Sequence, residues 1–109
     1  PNKMKIADTP NPPYFAVIFT IIANDDAAED IEMARRMNKL AHEQEGFIGM
    51  EAAGGKLGIM CSFWHSLNAI REWKKNSEHK LAQESGKSNA FSSFKVRICR
   101  VDRDYGFGL

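Results

Sequence analysis

The sequence has little of what marks a secreted, membrane-spanning or nucleic-acid-binding protein. Cysteine is scarce: Cys61 and Cys99 sit in separate apolar segments, and no Cys-x-x-Cys occurs. Such a pair reads as reduced, half-buried core thiols rather than as a disulfide framework. Long apolar runs are missing as well. The stretch from Phe15 to Ala23 is broken by Thr20 and is far too short to cross a bilayer, so no membrane is expected as a partner. Pro10, Pro12 and Pro13 stand where the apolar core of a signal peptide would lie, which makes the cytoplasm the expected compartment. Neither sign of charge dominates, since 15 basic and 14 acidic residues leave a formal net charge of +1. With no basic stripe interleaved with aromatics, nucleic acid is not expected either. His42, His65 and His79 lack ligand spacing, so no metal site is expected. No flavin, NAD or phosphate fingerprint is present. The glycine-rich stretch from Ala53 to Gly58 lies between two strand-like runs and reads as a turn.

What the chain does contain is the pattern of one small α+β domain. Its 109 residues, 43% hydrophobic and 27% charged, suit a single modest core. Residues 1–13 read as an irregular proline-bearing arm on the surface or on a partner, and 14–109 as the domain. Tyr14 to Ile22 is β-branched and aromatic on both parities, as a strand buried on both faces would be. A helix over residues 27–44 follows, with Asp26 as N-cap, Glu29 at N3, and Ile31, Ala34, Met37, Leu40 and Ala41 on one side. Gly46 stands where a C′ residue would end it. Phe47–Ala53 and Gly58–His65 form a hairpin. Ser66 caps a second helix with Leu67, Ile70 and Trp73 at helical spacing; Asn76 and Ser77 interrupt it, and a shorter segment runs from Glu78 to Ser85. Phe91 to Asp104 is the last strand. There Phe94, Val96 and Ile98 alternate with Lys95 and Arg97 before Cys99 and Val101 take over the apolar role, which calls for a bulge or for burial of the second face.

The order β-α-β-β-α-β predicts a ferredoxin-like sandwich with an antiparallel sheet. Two helices can cover one face only. The first and third strands carry apolar groups on both parities, so the second face would expose a patch larger than monomers normally tolerate. Burying several hundred Å² of it contributes several kcal/mol at about 25 cal/mol per Å². The expected cover is a second copy, sheet to sheet, in a two-fold homodimer.

Specific strings join this order of elements. Pro12-Pro-Tyr-Phe-Ala-Val-Ile-Phe19, Glu45-Gly-Phe-Ile-Gly49, Ser62-Phe-Trp-His-Ser-Leu-Asn-Ala-Ile70, Trp73-Lys74, His79 with Ala82-Gln83, and Val96-Arg-Ile98 with Val101-Asp-Arg-Asp-Tyr105 span most of residues 12–107. Together they resemble the antibiotic-biosynthesis-monooxygenase superfamily. The resemblance implies a dimeric α+β barrel, with a pocket in each subunit between sheet and helices for a small hydrophobic or aromatic ligand. Two chemistries come with it. Cofactor-independent oxygenases of the superfamily oxidise phenolic and anthrone-type compounds, with the deprotonated substrate as electron donor, so that no cofactor is needed. Heme-degrading members use an Asn on the first strand, a Trp on the second helix and a His about ten residues beyond. Trp73 matches that Trp; Gln83 stands at the His position and Ile18 near the Asn position, so two of the three depart from the pattern.

The oxygenase reading makes His79 the acid/base, Arg97 an anion stabiliser and Trp73 a catalytic wall, with Trp64, Gln83 and Ile18 lining the substrate pocket. A non-catalytic dimeric module that captures a hydrophobic metabolite is the alternative from another class. Each residue also has a plain structural reading. Trp73 fits the apolar stripe of its helix, Trp64 ends a buried strand, and His79 can act as a capping or hydrogen-bonding residue. Arg97 alternates with Phe94, Val96 and Ile98. If the helices cover the Phe94 side, Arg97 lies in the barrel and needs a partner such as Glu51; otherwise it lines the pocket.

Overall fold

The computed structural model describes the backbone of residues 5–23, 27–85 and 91–109, and side chains over residues 5–22, 35–77 and 93–109. Its elements are β1 (Tyr14–Ala23), α1 (Ala27–His42), β2 (Phe47–Gly54), β3 (Leu57–Trp64), α2 (Leu67–Ser85) and β4 (Phe91–Val101). The strands form one antiparallel sheet in the order β2-β3-β1-β4. This is the ferredoxin-like α+β arrangement the sequence implies, and β1 lies inside the sheet, which explains its apolar groups on both parities.

Paired residues share a face, so the ladders divide the side chains. Phe15 opposes Trp64, Val17 opposes Ser62 and Ile98, and Phe19 opposes Met60 and Val96. This is the helix side, because Val17, Trp64, Ala41 of α1 and Ile70 of α2 make up the core cluster. The helices pack on each other, α1 on β2 and α2 on β3. The opposite face carries the row Glu51–Cys61–Ile18–Arg97, with Phe63, Ala16 and Cys99 in one neighbouring row and Ile59, Thr20 and Lys95 in the other.

Local chemistry sets the joints. Ser66 Oγ accepts the Ala69 amide at 3.0 Å, the predicted N-cap of α2. Gly46 has φ +88°, and a Cβ there would come within 2.6 Å of the Ala69 side chain. Only glycine lets this turn adopt its backbone and lets α2 approach so closely. The hairpin turns at Gly54, φ +130°, followed by Gly55 and Lys56. The expected Asp26 cap, the first half of the α1 stripe and the end at Gly86 lie outside the described side chains or backbone.

Two expectations need correcting, and a third point, left open between two alternatives, is resolved. Helix α1 ends at His42, and Glu43–Gly46 form a hydrogen-bonded turn, so Gly46 stands beyond the C′ position. Helix α2 runs unbroken through Asn76 and Ser77, because tertiary packing overrides the weak helix preference of these two polar residues. The β1–β4 register is continuous from Tyr14–Val101 to Ile22–Ser93, so the change of apolar parity at Cys99 is burial of the second face, and the irregularity lies at Ile22–Ala23 instead. Residues 5–13 lie along the open face of their own sheet: the Ala7 amide donates to Glu51 Oε2 at 2.9 Å, and Ala7 sits over Gly49. Among the described residues no helix is long and apolar enough to cross a membrane.

Candidate functional site

Aromatic rings converge on the helix side of the sheet. Trp64 closes β3 with no exposed surface, and its indole N–H donates to Ser62 Oγ at 2.9 Å, two residues back on the same face. Phe47 meets it edge-on with centroids 5.3 Å apart, and Trp73 from α2 lies across it at 5.0 Å and 30°. On the far side of Phe47 the His42 ring is 4.5 Å away. Its Nδ1 lies 2.8 Å from the Asn38 carbonyl, which can only accept, so that nitrogen carries a proton.

Beyond this stack the helix side opens. Phe94, Val96 and Ile98 point toward the helices, yet they remain 63%, 45% and 52% exposed. Phe19 packs against Phe94 at 5.6 Å. These side chains form an apolar ramp along β4. Ile98 shares a row with Ser62, two strand spacings away, or about 10 Å. A flat polycyclic molecule reaching from Trp73 to the ramp would cover that span.

Trp73 is half-buried and its indole nitrogen is shut off from solvent without a hydrogen-bond partner; the same holds for Ser77 Oγ, one turn further along α2. A buried unpaired donor costs about 1–3 kcal/mol. Two of them on one stripe, among side chains that could have been apolar, mark a place where packing alone does not explain the residues.

The structure separates the residues that the sequence groups together. Trp64 is the buried, hydrogen-bonded back of the stack, and Trp73 is its accessible front. Arg97 and Ile18 are paired neighbours on the other face of the sheet, so neither shares a wall with Trp73. The helices cover the Phe94 side, which places Arg97 in the open face. Glu51 is not its partner within the chain: two strands intervene, a separation of about 14 Å. His79 and Gln83 belong to α2, but their side chains lie outside those described. Ser77 and the ramp are absent from the sequence-based set. Spacing could have found Ser77, since Ile70, Trp73 and Ser77 follow one helical stripe; reading Asn76-Ser77 as a break hid it.

Two groups at the open face have displaced titrations. Burial pushes the Tyr14 phenol above its ordinary value, helped by its hydrogen bond to Asp104 Oδ2, while Thr9 Oγ1 donates to the phenol oxygen and opposes the shift. Burial also raises the Cys61 thiol, with Glu51 adding to it. A separate shallow cleft of 570 Å³ lies between arm and tail, lined by Pro12, Asp102, Arg103, Asp104 and Tyr105.

No family model matches the chain. Among curated proteins, the uncharacterized protein YqjZ of Bacillus subtilis strain 168 is 42% identical over 101 residues, covering 90% of this chain and 88% of its own. Among solved structures, SnoaB, a cofactor-independent oxygenase from Streptomyces nogalater, superposes with a TM-score of 0.68 at 13% identity, over 85% of this chain and 97% of SnoaB. A variant of MhuD with two manganese protoporphyrin IX molecules per active site gives 0.66 at 16% identity, over 85% of this chain and 99% of MhuD. The chain therefore belongs to one family with YqjZ, and it shares its fold with SnoaB and MhuD.

Proposed function

We propose that this chain is a monooxygenase that oxidises a small aromatic or polyketide-like compound without a cofactor, on the helix side of its sheet. The observation that carries the reading is Trp73, half-buried and stacked on a fully buried Trp64, on the same sheet face as the exposed apolar side chains of β4. A stacked indole beside exposed apolar groups suits a flat hydrophobic ring system. SnoaB, with the same fold, is a cofactor-independent oxygenase.

The chemistry is balanced within the substrate and O₂. A base removes a proton from an activated CH₂; the electron-rich anion reduces O₂; cleavage of the O–O bond leaves C=O on the substrate and releases water. His79 is the acid/base in this reading, and a positioned histidine contributes on the order of 10²–10⁴-fold. Anthrone and O₂ without added flavin or nicotinamide test it. One O₂ consumed per quinone formed, with His79→Ala slower by at least about 10²-fold, is the expected result. Saturable binding without O₂ uptake would make the chain a capture module instead.

The reading includes a two-fold homodimer with open faces packed together. Leu57 and Ile59 are 54% and 42% exposed there, beside half-buried Ile18, Cys61, Phe63 and Cys99. Acidic Glu51 lies on one edge strand and basic Lys95 and Arg97 on the other, an arrangement that a two-fold partner can complement. Sedimentation at micromolar concentration should give twice 12.3 kDa.

A further inference from the structure

We infer that the segment after β4 is a hook that engages a second copy of this chain: Tyr105 and Phe107 of each subunit pack on the other. The inference rests on the two-fold dimer proposed above and goes beyond it by assigning part of the interface to side chains outside the sheet. Tyr105 and Phe107 are fully exposed, and Leu109 is 87% exposed. A single apolar side chain at a surface is ordinary. Here the three large side chains of residues 105–109 are all apolar, glycines separate them, and no charge lies among them. A segment meant for water carries charge instead.

The root of the segment is fixed while its rings stay unused. Arg100 pairs with Asp102 at 2.6 Å, and Asp104 Oδ2 accepts the Tyr14 phenol and the Thr9 hydroxyl. Gly108 turns the chain at φ +75°, and Leu109 folds back over Gly106, where a Cβ would fall 2.5 Å from its Cδ1. The two rings therefore project from a shaped tip.

Three observations point to a second copy. Tyr14, which holds Asp104, is only 4% exposed and meets Phe63 edge-on at 6.0 Å on the open face. The segment thus leaves from the border of the face that the dimer covers. The five residues after Asp104 reach at most about 17 Å, further than the ~10 Å between packed sheets, so the rings can arrive at the opposite subunit. Area agrees with this. A standard interface buries about 800 Å² per partner, and an aromatic side chain about 150–250 Å², so two rings supply roughly half of what is needed. The open face, narrowed by the chain's own arm at Ala7 and Gly49, has to supply only the rest. Two-fold symmetry makes the exchange reciprocal, and tyrosine and phenylalanine are enriched in interface cores.

Sedimentation equilibrium compares the wild-type chain with Tyr105→Ser/Phe107→Ser. The dimer dissociation constant should rise on the order of 10²-fold or more. The dilute monomer should unfold as the wild type does, because the rings touch nothing of their own chain. A second measurement places the contact: p-benzoyl-phenylalanine in place of Phe107, irradiated in an equal mixture of isotope-labelled and unlabelled chains, should give cross-linked peptides with one half from each. A double variant that dimerises as tightly as wild type, a double-variant monomer that unfolds more easily, or cross-links confined to one copy overturns the inference and leaves the dimer standing. Wild type held on phosphatidylcholine vesicles, and released from them in the double variant, assigns the rings to a lipid surface and overturns it as well. A wild-type chain that sediments at 12.3 kDa at micromolar concentration removes the dimer itself, and the inference with it.

Discussion

The two faces of the sheet start from similar material and end differently. On β1, Phe15, Val17 and Phe19 face the helices, while Tyr14, Ala16 and Ile18 face the other way. The helix side closes over its centre into an interlocked core, with Val17 at 2% exposure and Trp64 at none. The open side keeps Leu57 and Ile59 largely in solvent, places charges on both edge strands, and is covered in part by the chain's own arm through Ala7, Thr9 and Tyr14. Apolar content therefore does not decide which face becomes core. Connectivity does: each helix returns between strands on the same side, and the other side is left to whatever else is at hand.

Substitutions can break this contrast. Trp64→Ala should have the largest effect, a loss of about 3–5 kcal/mol in chemical denaturation, because it empties the centre of the ring stack. Ser62→Ala should cost about 1–3 kcal/mol, since it leaves the buried Trp64 N–H without its acceptor.

On the open side the expected effects are smaller. The folded chain holds the Tyr14 proton more tightly than the unfolded chain, whose phenol titrates near 10.0. The stability this provides is complete below pH 10 and is lost as pH rises through the folded value. Tyr14→Phe should therefore melt lower at neutral pH by about 1 kcal/mol and flatten the alkaline decline; an alkaline limb unchanged by the substitution removes this role. Ile59→Lys should alter the stability of the single chain least, by about 0.5 kcal/mol or less, while shifting the proposed dimer to monomer in sedimentation. If Ile59→Lys destabilises as much as Trp64→Ala, the two faces are not the different environments described here.

Much of the architecture is legible in the sequence. β1 announced a two-sided strand, Ser66 its cap and the Gly54–Gly55 pair its hairpin, because each depends on a few neighbouring residues. The site was less legible. Trp73 could be picked out because a large aromatic on an apolar stripe is conspicuous by itself. Arg97 and Ile18 were grouped with it, yet they stand on the far side, since strand parity alone does not say which parity the helices cover. Ser77 was missed because a serine beside an asparagine looks like a helix break until packing shows that it points inward.

By itself the sequence determined the order of elements, the central place of β1 and the presence of more apolar surface than two helices can hide, because these follow from residue type and spacing along the chain. The tertiary structure alone decided that α2 runs through Ser77, that one tryptophan is hydrogen-bonded while its neighbour is not, and that Arg97 and Trp73 lie on opposite faces. Those outcomes depend on which segments meet across the sheet, and no local pattern contains that information.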